Sequence, residues 1–270
     1  RDSLRWFDNK PLFGKNVLVT RARSKASVLS EKLEELGANV IEAAAIKTQA
    51  LPVGAAEKEA ILNAGTYKTV VFTSAEGVRY FFKALETLGK DSRVLGTAQI
   101  CAIGSATAKA LHDKGLLADI IPSDYKGESV VKALAPILEK GDKALLIQPK
   151  VARKVIPEGL KAAGADVTVA RLYETVLDDS QADALRETLA NGEADYITFT
   201  SSSTVTNTLT MLGKDGAELI KKARVACIGP ITAATCVEHG IQPDLIGETF
   251  TIPAMVDMIK ADVAKNASAE

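Results

Sequence analysis

Several features that would define a site are scarce in this sequence. Aromatic residues make up 5% of the 270 residues, and there are only three cysteines and two histidines. Few aromatics argue against a stacking platform for nucleic acid. A formal net charge of −1 argues against the basic patch that nucleic-acid binding needs. Two distant histidines and no Cys-x-x-Cys pair predict that no metal is bound.

Long apolar runs and nucleotide-binding motifs are also missing. No apolar run is long enough to cross a membrane, and no signal-peptide pattern opens the chain. No Gly-x-Gly-x-x-Gly and no Walker-type Gly-Lys-Ser/Thr loop follows a strand, so we expect no nucleotide and no other cofactor. The cysteines show no pairing motif, which predicts reduced, buried thiols in a cytoplasmic protein: Cys101, Cys227 and Cys236.

What the chain does contain is one long pattern that occurs twice. Thr73 and Thr200 lie 127 residues apart (200 − 73), and Gly104 and Gly229 lie 125 apart (229 − 104), in matching surroundings. The period is far longer than that of a solenoid repeat. The sequence therefore predicts the duplication of one domain-sized unit of about 127 residues.

Short apolar runs alternate with helical patterns in both copies. Predicted strands include 15–20, 39–45, 144–147 and 166–172, and the closing strands are placed at 119–122 and 244–246. This alternation predicts an α/β fold with two doubly wound parallel-sheet domains of similar topology. In such sheets, ligands bind beyond the carboxyl ends of the strands.

Hydroxyl and glycine residues follow the strands in four matched loops. One interpretation is structural, since Ser and Thr cap helices. The other is functional, since helix N-termini hold anions and would suit a ligand with several carboxylates. The candidate binding residues are Arg21, Thr73, Ser74, Gly77, Gly104, Ser105, Thr107, Thr200, Ser201, Ser203, Gly229 and Thr232.

Tyrosine, histidine and basic residues offer few further candidates. Tyr173 is either an interface tyrosine with a wet hydroxyl or a functional group. The two histidines precede helix-ending glycines, which favours a contact with the helix dipole over catalysis. Surface charge is expected for two of four basic residues and carboxylate binding for the others: Arg21, Arg23, Lys150 and Arg153.

Taken together, these motifs resemble uroporphyrinogen-III synthase, the enzyme that closes a linear tetrapyrrole on the route to haem, sirohaem and cobalamin. The similarity spans about residues 14–263. Its pieces are Leu18-Val19-Thr20-Arg21, the helix end before Gly37-Ala38, Phe72–Val78, Ala102–Ala108, Leu172–Thr175, Phe199–Val205 and Cys227–Ala233.

The resemblance implies a particular domain organisation. A two-stranded connector would join two α/β domains, and a lead-in resembling the linker to a uroporphyrinogen-III methyltransferase would precede them. The methyltransferase would then be a fused or associated partner, and this fragment itself a monomer. The segments are 1–14 (lead-in), 15–45 plus 178–265 (first domain), 53–170 (second domain), and 46–52 and 171–177 (connector).

The resemblance also implies a reaction. Hydroxymethylbilane, which carries eight carboxylates, would lose its hydroxyl as water and close through a spiro intermediate that inverts ring D. Unassisted closure gives the type I isomer, so the protein must hold the chain in the productive geometry. Tyr173 would help the hydroxyl to leave, and the strand-end residues would bind carboxylates.

Two alternatives remain open on the residues alone. A two-lobed binding protein for a small anionic ligand, without chemistry, would explain the duplication and the missing catalytic triad. A sirohaem-pathway scaffold that has lost activity is the second alternative. A binding protein would leave its ligand chemically unchanged, which separates it from an enzyme.

Overall fold

The strands and helices alternate along the chain. The computed structural model describes residues 10–20, 23–124 and 126–267, with side chains in helix α1 described from residue 28 onward. The strands are β1 (Asn16–Val19), β2 (Asn39–Glu42), β3 (Ile46–Ala50), β4 (Thr69–Phe72), β5 (Gln99–Ala102), β6 (Lys143–Pro149), β7 (Asp166–Leu177), β8 (Tyr196–Phe199), β9 (Arg224–Cys227) and β10 (Leu245–Ile246).

Helices follow most of these strands, as the periodicity predicts. They are α1 (Arg23–Glu35), α2 (Ala55–Leu62), α3 (Ala75–Thr87), α4 (Ser105–His112), α5 (Gly127–Leu134), α6 (Val155–Ala162), α7 (Ala182–Ala190), α8 (Ser202–Leu212), α9 (Gly216–Ile220), α10 (Pro230–Glu238) and α11 (Ile252–Ala267). Short 3-10 turns occupy Ala64–Thr66, Ser92–Leu95, Ala135–Ile137 and Asp179–Gln181.

The chain folds into two compact units, each with a five-stranded sheet. Unit 1 comprises residues 1–47 and 176–270, and unit 2 comprises residues 48–175. The strand orders are β10-β9-β8-β1-β2 and β5-β4-β6-β7-β3. All pairs among strands other than β3 are parallel, which confirms the predicted α/β fold class. The predicted connector segments, 46–52 and 171–177, stay a prediction.

The register of the two sheets reproduces the duplication. Thr69 of β4 pairs with Gln99 of β5, and Tyr196, 127 residues further on, pairs with Arg224 of β9. A side-chain bond is repeated as well. The Asp119 carboxylate accepts from the Ile100 backbone N–H at 2.7 Å, and Asp244 accepts from Val225 at the same distance in the other unit. The repeated sequence therefore encodes the same strand pairing twice.

Both faces of each sheet are covered. In β1, Leu18 packs into one hydrophobic cluster, while Val17 and Val19 pack into the cluster on the opposite face. In unit 2, Phe72 and Val71 of β4 likewise pack into two clusters on opposite faces of the sheet. Strands buried on both faces consist of continuous apolar runs, which is why these segments were recognisable in the sequence.

One predicted strand is absent from the structure, and part of the lead-in packs into unit 1. The strand predicted at 119–122 is wrong, because this segment makes only one bridge, between Cys101 and Ile120. The adjacent Pro122 has no N–H with which to continue a ladder. From the sequence we expect the apolar residues of the lead-in, Trp6, Phe7, Leu12 and Phe13, to dock on a neighbouring surface. Leu12 is fully buried in the core of unit 1, whereas Phe13 is 46% exposed. Trp6 and Phe7, also expected to dock, lie outside the described residues.

Candidate functional site

Ser74 and Tyr173 are brought together at the carboxyl end of the unit 2 sheet. Ser74 follows β4 and is the N-cap of α3, where its side chain accepts a hydrogen bond from the Gly77 N–H at 3.0 Å. The Tyr173 hydroxyl lies 2.7 Å from Ser74 Oγ. Three of the predicted site residues are thus linked in one hydrogen-bonded group.

Tyr173 is held by its ring as well as by its hydroxyl. It lies in β7, and the residue is only 4% exposed. The Tyr80 ring stacks on it, with centroids 5.1 Å apart and an interplanar angle of 10°. Burial raises the pKa of Tyr173; the Ser74 hydrogen bond opposes this and the nearby Glu76 adds to it. The phenol therefore stays neutral at physiological pH and is available as a hydrogen-bond donor.

A polar cluster on α3 and β3 supports this tyrosine pair. The Tyr80 hydroxyl donates to Thr48 Oγ1 at 3.2 Å, and Thr48 donates to Glu76 at 3.0 Å. Arg79 also bonds both Thr48 and Glu76, and its guanidinium lies 4.4 Å from the Tyr80 ring centroid. This support was not predicted, because hydrophobic periodicity starts the helix at Val78 and leaves Glu76 outside it. In α3, Glu76 and Tyr80 stand four apart and so share one face.

Other predicted residues of unit 2 serve the backbone in this structure. Thr73 Oγ1 donates to the Ile147 carbonyl at 2.9 Å. Thr107 is buried, and its hydroxyl donates to the Ile103 carbonyl at 2.7 Å. Gly104, the N-cap of α4, has a φ of +86°, a conformation that favours glycine, and Ser105 beside it is exposed. Their roles in ligand binding stay predictions.

Unit 1 presents an equivalent set of hydroxyls after β8. Ser201 is the N-cap of α8 and forms a capping box with Thr204. Ser201 Oγ also lies 2.9 Å from Ser203 Oγ, and Ser203 and Thr200 are at least partly exposed. The predicted residues of this loop therefore lie together, but no tyrosine in the described part of the chain bonds the capping serine here.

The loop after β9 has less free space around its predicted site residues than the loop after β8. Gly229 is the N-cap of α10, and a Cβ atom there would lie 2.5 Å from Phe250 Cδ1. Thr232 is buried within the first turn of α10. Glycine thus allows the Phe250 side chain to approach the backbone closely.

The basic residues that were candidates for carboxylate binding differ in their surroundings. Lys150 Nζ donates to Glu174 at 2.7 Å, and this bond, followed by one from Gln49, lowers the pKa of Glu174. Arg153 is exposed, whereas Arg21 lies outside the described residues. Lys150 is thus already paired with a carboxylate of the protein, that of Glu174, which follows Tyr173 in the sequence.

Three further features of the described residues bear on function: possible metal ligands, helix length and the cysteines. Among the described residues, no group of three or more His, Cys, Asp or Glu could hold a metal ion. No helix in the same part of the chain is long and apolar enough to cross a membrane. The three cysteines are free and buried, and burial raises the pKa of Cys101 to about 12.

A cavity of about 680 Å³ lies elsewhere in unit 2. Its lining includes Lys68, Gln99 and Lys143, which precede or begin strands β4, β5 and β6. It therefore lies at the amino ends of the strands, opposite the Ser74–Tyr173 pair. We place the candidate site at the carboxyl ends, where parallel sheets bind ligands.

Comparison with known proteins assigns the chain to a family. A family model described as uroporphyrinogen-III synthase HemD matches residues 27–257. This chain belongs to the uroporphyrinogen-III synthase family. The family resemblance drawn from the sequence motifs is thereby confirmed, and the family is one of enzymes that cyclise hydroxymethylbilane.

Individual relatives agree with this assignment. Porphyrin biosynthesis protein HemD of Ruminiclostridium josui is 32% identical over 254 residues, which cover 94% of this chain and 50% of that protein. A putative uroporphyrinogen-III synthase of Methanothermobacter thermautotrophicus is 30% identical over 253 residues, covering 92% and 98%. The chain therefore spans about half the length of the first relative and nearly all of the second.

A solved structure supports the fold. A mutant uroporphyrinogen III synthase from the extremely thermophilic bacterium Thermus thermophilus superposes with a TM-score of 0.56 at 24% identity, covering 93% of this chain and 100% of that chain. The family membership supports the enzymatic interpretation over the non-catalytic binding protein, and it implies a tetrapyrrole substrate. A cytoplasmic location and a methyltransferase partner stay predictions.

Proposed function

We propose that this chain converts hydroxymethylbilane into uroporphyrinogen III, with the Ser74–Tyr173 pair beside the departing hydroxyl. The observation that carries this proposal is the 2.7 Å contact between Ser74 Oγ and Tyr173 Oη at the carboxyl end of a parallel sheet. Because its pKa is raised, the phenol keeps its proton, and the hydrogen-bonded pair can assist the loss of the hydroxyl.

The carboxylates of the substrate would be held by helix N-termini. Each unit offers two helices of eight or more residues that begin just after a strand: α3 and α4 in unit 2, and α8 and α10 in unit 1. The first turn of a helix presents unpaired N–H groups and a partial positive charge. This arrangement binds anions without a basic patch, in agreement with the near-neutral composition.

The reaction makes a geometric demand on the protein. Loss of the hydroxyl gives an electrophilic azafulvene, and its direct closure produces the type I isomer. Attack on the substituted carbon of ring D gives a spiro intermediate, which fragments and recloses with ring D inverted. Holding the reacting carbons near each other accelerates one route over the other without an additional chemical group. Fixed backbone donors suit this task.

A product assay tests the proposal. Hydroxymethylbilane is generated in situ by its upstream synthase, this protein is added, and the oxidised uroporphyrin isomers I and III are separated by chromatography. We expect mostly type III, and a boiled sample of the same protein provides the type I background. Only type I from protein with an intact circular dichroism spectrum would overturn the proposal and favour the binding protein.

We further propose that a uroporphyrinogen-III methyltransferase is fused to or associated with this chain. The support is the resemblance of residues 1–14 to a linker, together with a uroporphyrinogen-III C-methyltransferase of Bacillus subtilis that is 33% identical over 126 residues, covering 47% of this chain and 25% of that protein. The full-length open reading frame tests the fusion directly. A reading frame without a methyltransferase, and no co-purification with one, would overturn it.

A further inference from the structure

The geometry points to Ser74, rather than Tyr173, as the residue whose hydroxyl hydrogen contacts the departing oxygen of the substrate. Tyr173 then acts as a positioning residue that donates to Ser74 from behind. This inference rests on the proposed function and assigns separate roles to the two residues of the pair.

The direction of the Ser74–Tyr173 bond follows from counting donors and acceptors. In the part of the chain that the structure describes, Ser74 Oγ is the only hydrogen-bond partner of the Tyr173 hydroxyl. A buried hydroxyl that fails to donate loses free energy, so Tyr173 donates and Ser74 accepts. If Ser74 donated instead, the phenol hydrogen would be left without an acceptor.

The same count leaves one hydrogen free. Ser74 Oγ accepts from Tyr173 at 2.7 Å and from the Gly77 N–H at 3.0 Å, which fills both of its lone pairs. Its own hydrogen remains available. The nearby Glu76 carboxylate does not take this hydrogen in the described structure, where Thr48 and Arg79 donate to its Oε2 atom and Ser74 does not bond it.

Exposure distinguishes the two residues. Tyr173 is 4% exposed, whereas Ser74 is only half-buried at the start of α3. A ligand at the strand end therefore meets the serine first. Tyr173 donates to Ser74, and Ser74 donates to the ligand. These two successive hydrogen bonds polarise one another in the same direction.

The chemical step balances with this assignment. The carbon–oxygen bond of the hydroxymethyl group breaks, and its electron pair leaves with the oxygen while the pyrrole nitrogen lone pair forms the azafulvene. Ser74 donates a hydrogen bond to that oxygen. Solvent water supplies the proton that completes the leaving water, and the cyclised cation later returns one proton to solvent. Neither Ser74 nor Tyr173 is consumed or ionised.

The test is a double-mutant cycle on the rate of type III formation. We expect Ser74→Ala to lower kcat about 100-fold and Tyr173→Phe about tenfold, with KM changed less than about twofold in both. The Ser74→Ala/Tyr173→Phe double variant should equal Ser74→Ala alone, because Tyr173 acts through Ser74. Ser74→Thr restores a hydroxyl at the same position and should return the rate to within a few fold of the wild type.

Controls separate this role from a structural one. Ser74→Gly lacks the hydroxyl but keeps most of the N-cap stability, so it guards against unfolding of the alanine variant. Thr87→Ala removes another hydroxyl from α3, one that donates to the Lys83 carbonyl, and should leave the rate unchanged.

Each contrary result has a distinct meaning. Multiplicative losses in the double variant, or a greater loss in Tyr173→Phe than in Ser74→Ala, would overturn the assignment of roles while leaving the synthase activity intact. A folded Ser74→Gly variant that forms the type III isomer at the wild-type rate would also overturn the assignment of roles. A wild-type protein that yields only type I would overturn the proposed function, and this inference with it.

Discussion

The Tyr80 and Tyr173 rings stack nearly parallel, with centroids 5.1 Å apart and planes inclined by 10°. One residue lies on α3 and the other on β7, so the contact joins a helix to the sheet directly beneath the candidate site. Because the Tyr80 hydroxyl also bonds Thr48 on β3, the stacked ring is fixed at its face and at its tip. Tyr173 therefore has little freedom to turn away from Ser74.

Removing this stack should weaken both the fold and the catalytic rate. We expect Tyr80→Leu to lower the free energy of unfolding by about 2 kcal/mol, because it removes an aromatic pair and leaves a partial cavity. Tyr80→Phe keeps the ring and should cost about 0.5–1 kcal/mol for one hydrogen bond. Urea denaturation measures both values.

Tyr67→Phe is the matched control for the lost hydroxyl. The Tyr67 hydroxyl bonds Thr168 Oγ1 at 3.2 Å, the same length as the Tyr80–Thr48 bond, but no stack on Tyr173 is involved. The two phenylalanine variants should therefore be equally stable, whereas only Tyr80→Leu should slow type III formation. Equal stability of Tyr80→Leu and Tyr80→Phe would show that the stack contributes nothing.

The raised pKa of Tyr173 predicts a loss of stability at alkaline pH. Burial raises this pKa above the ordinary value of 10.0, so the unfolded chain releases the proton at a lower pH than the folded chain does. The stabilising contribution is therefore complete below about pH 10 and declines as the pH rises toward the folded pKa.

Tyr173→Phe should make this alkaline decline shallower. Urea denaturation of wild type and variant between about pH 8 and pH 11 measures the slope, and tyrosinate absorbance reports the ionisation itself. Tyr196→Phe should act in the same direction in unit 1, because burial and then Asp262 raise the pKa of Tyr196. If stability declined equally steeply with pH in the wild type and in Tyr173→Phe, the raised pKa of Tyr173 would be contradicted.

Much of the fold could be predicted because the strands are apolar on both faces. The runs around Val70–Phe72 and Ile197–Phe199 are buried throughout, and glycines mark the helix ends. The helix starts were less accurate. Hydrophobic periodicity alone predicts these two helices over 78–88 and 205–212, starting at the first buried valine, whereas α3 and α8 begin directly after their serine caps. The first turn is polar, so hydrophobic periodicity does not detect it.

The site was only partly predictable. Ser74 and Tyr173 were both candidates, because one follows a strand and the other lies at a predicted crossing. Their 2.7 Å contact could not be predicted, since it depends on β7 lying two strands away from β4, with β6 between them. Tyr80 was missed for the same reason. Helical spacing places it on a buried face but does not identify what it packs against.

Two glycines in unit 2 should respond to alanine in opposite directions. Gly104 has a φ of +86°, so Gly104→Ala should cost about 1–2 kcal/mol of unfolding free energy through backbone strain. Gly77 lies within α3, and a Cβ there meets its nearest neighbour, Ser74 Oγ, at 3.4 Å. Gly77→Ala should therefore be neutral or add up to about 1 kcal/mol, because alanine favours the helix.

Thermal and urea unfolding of the two glycine variants measure this difference. Both residues are candidate ligand contacts, so stability, not activity, is the relevant measurement. A Gly104→Ala protein as stable as Gly77→Ala would show that the loop before α4 relaxes to an unstrained conformation.

Asp262 should be the residue through which α11 is fixed to the unit 1 sheet. Its carboxylate accepts from the Tyr196 hydroxyl at 2.7 Å and from Arg224 Nε and Nη2 at 2.8 and 2.9 Å. Its side chain is 9% exposed. Asp262→Ala removes these three bonds and leaves a buried phenol without its acceptor, so we expect a loss of about 2–3 kcal/mol.

Asp257→Ala provides the control for this loss. Asp257 lies on the same helix but is exposed, so its removal should change the unfolding free energy by less than about 0.5 kcal/mol. Asp262→Asn keeps the size and one acceptor oxygen and should fall between the two. Hydrogen exchange of α11 amides locates the effect, because a helix released from the sheet loses protection before the rest of unit 1. Equal protection in Asp262→Ala and Asp257→Ala would show that apolar packing by Met255 and Ile259 holds the helix without the carboxylate.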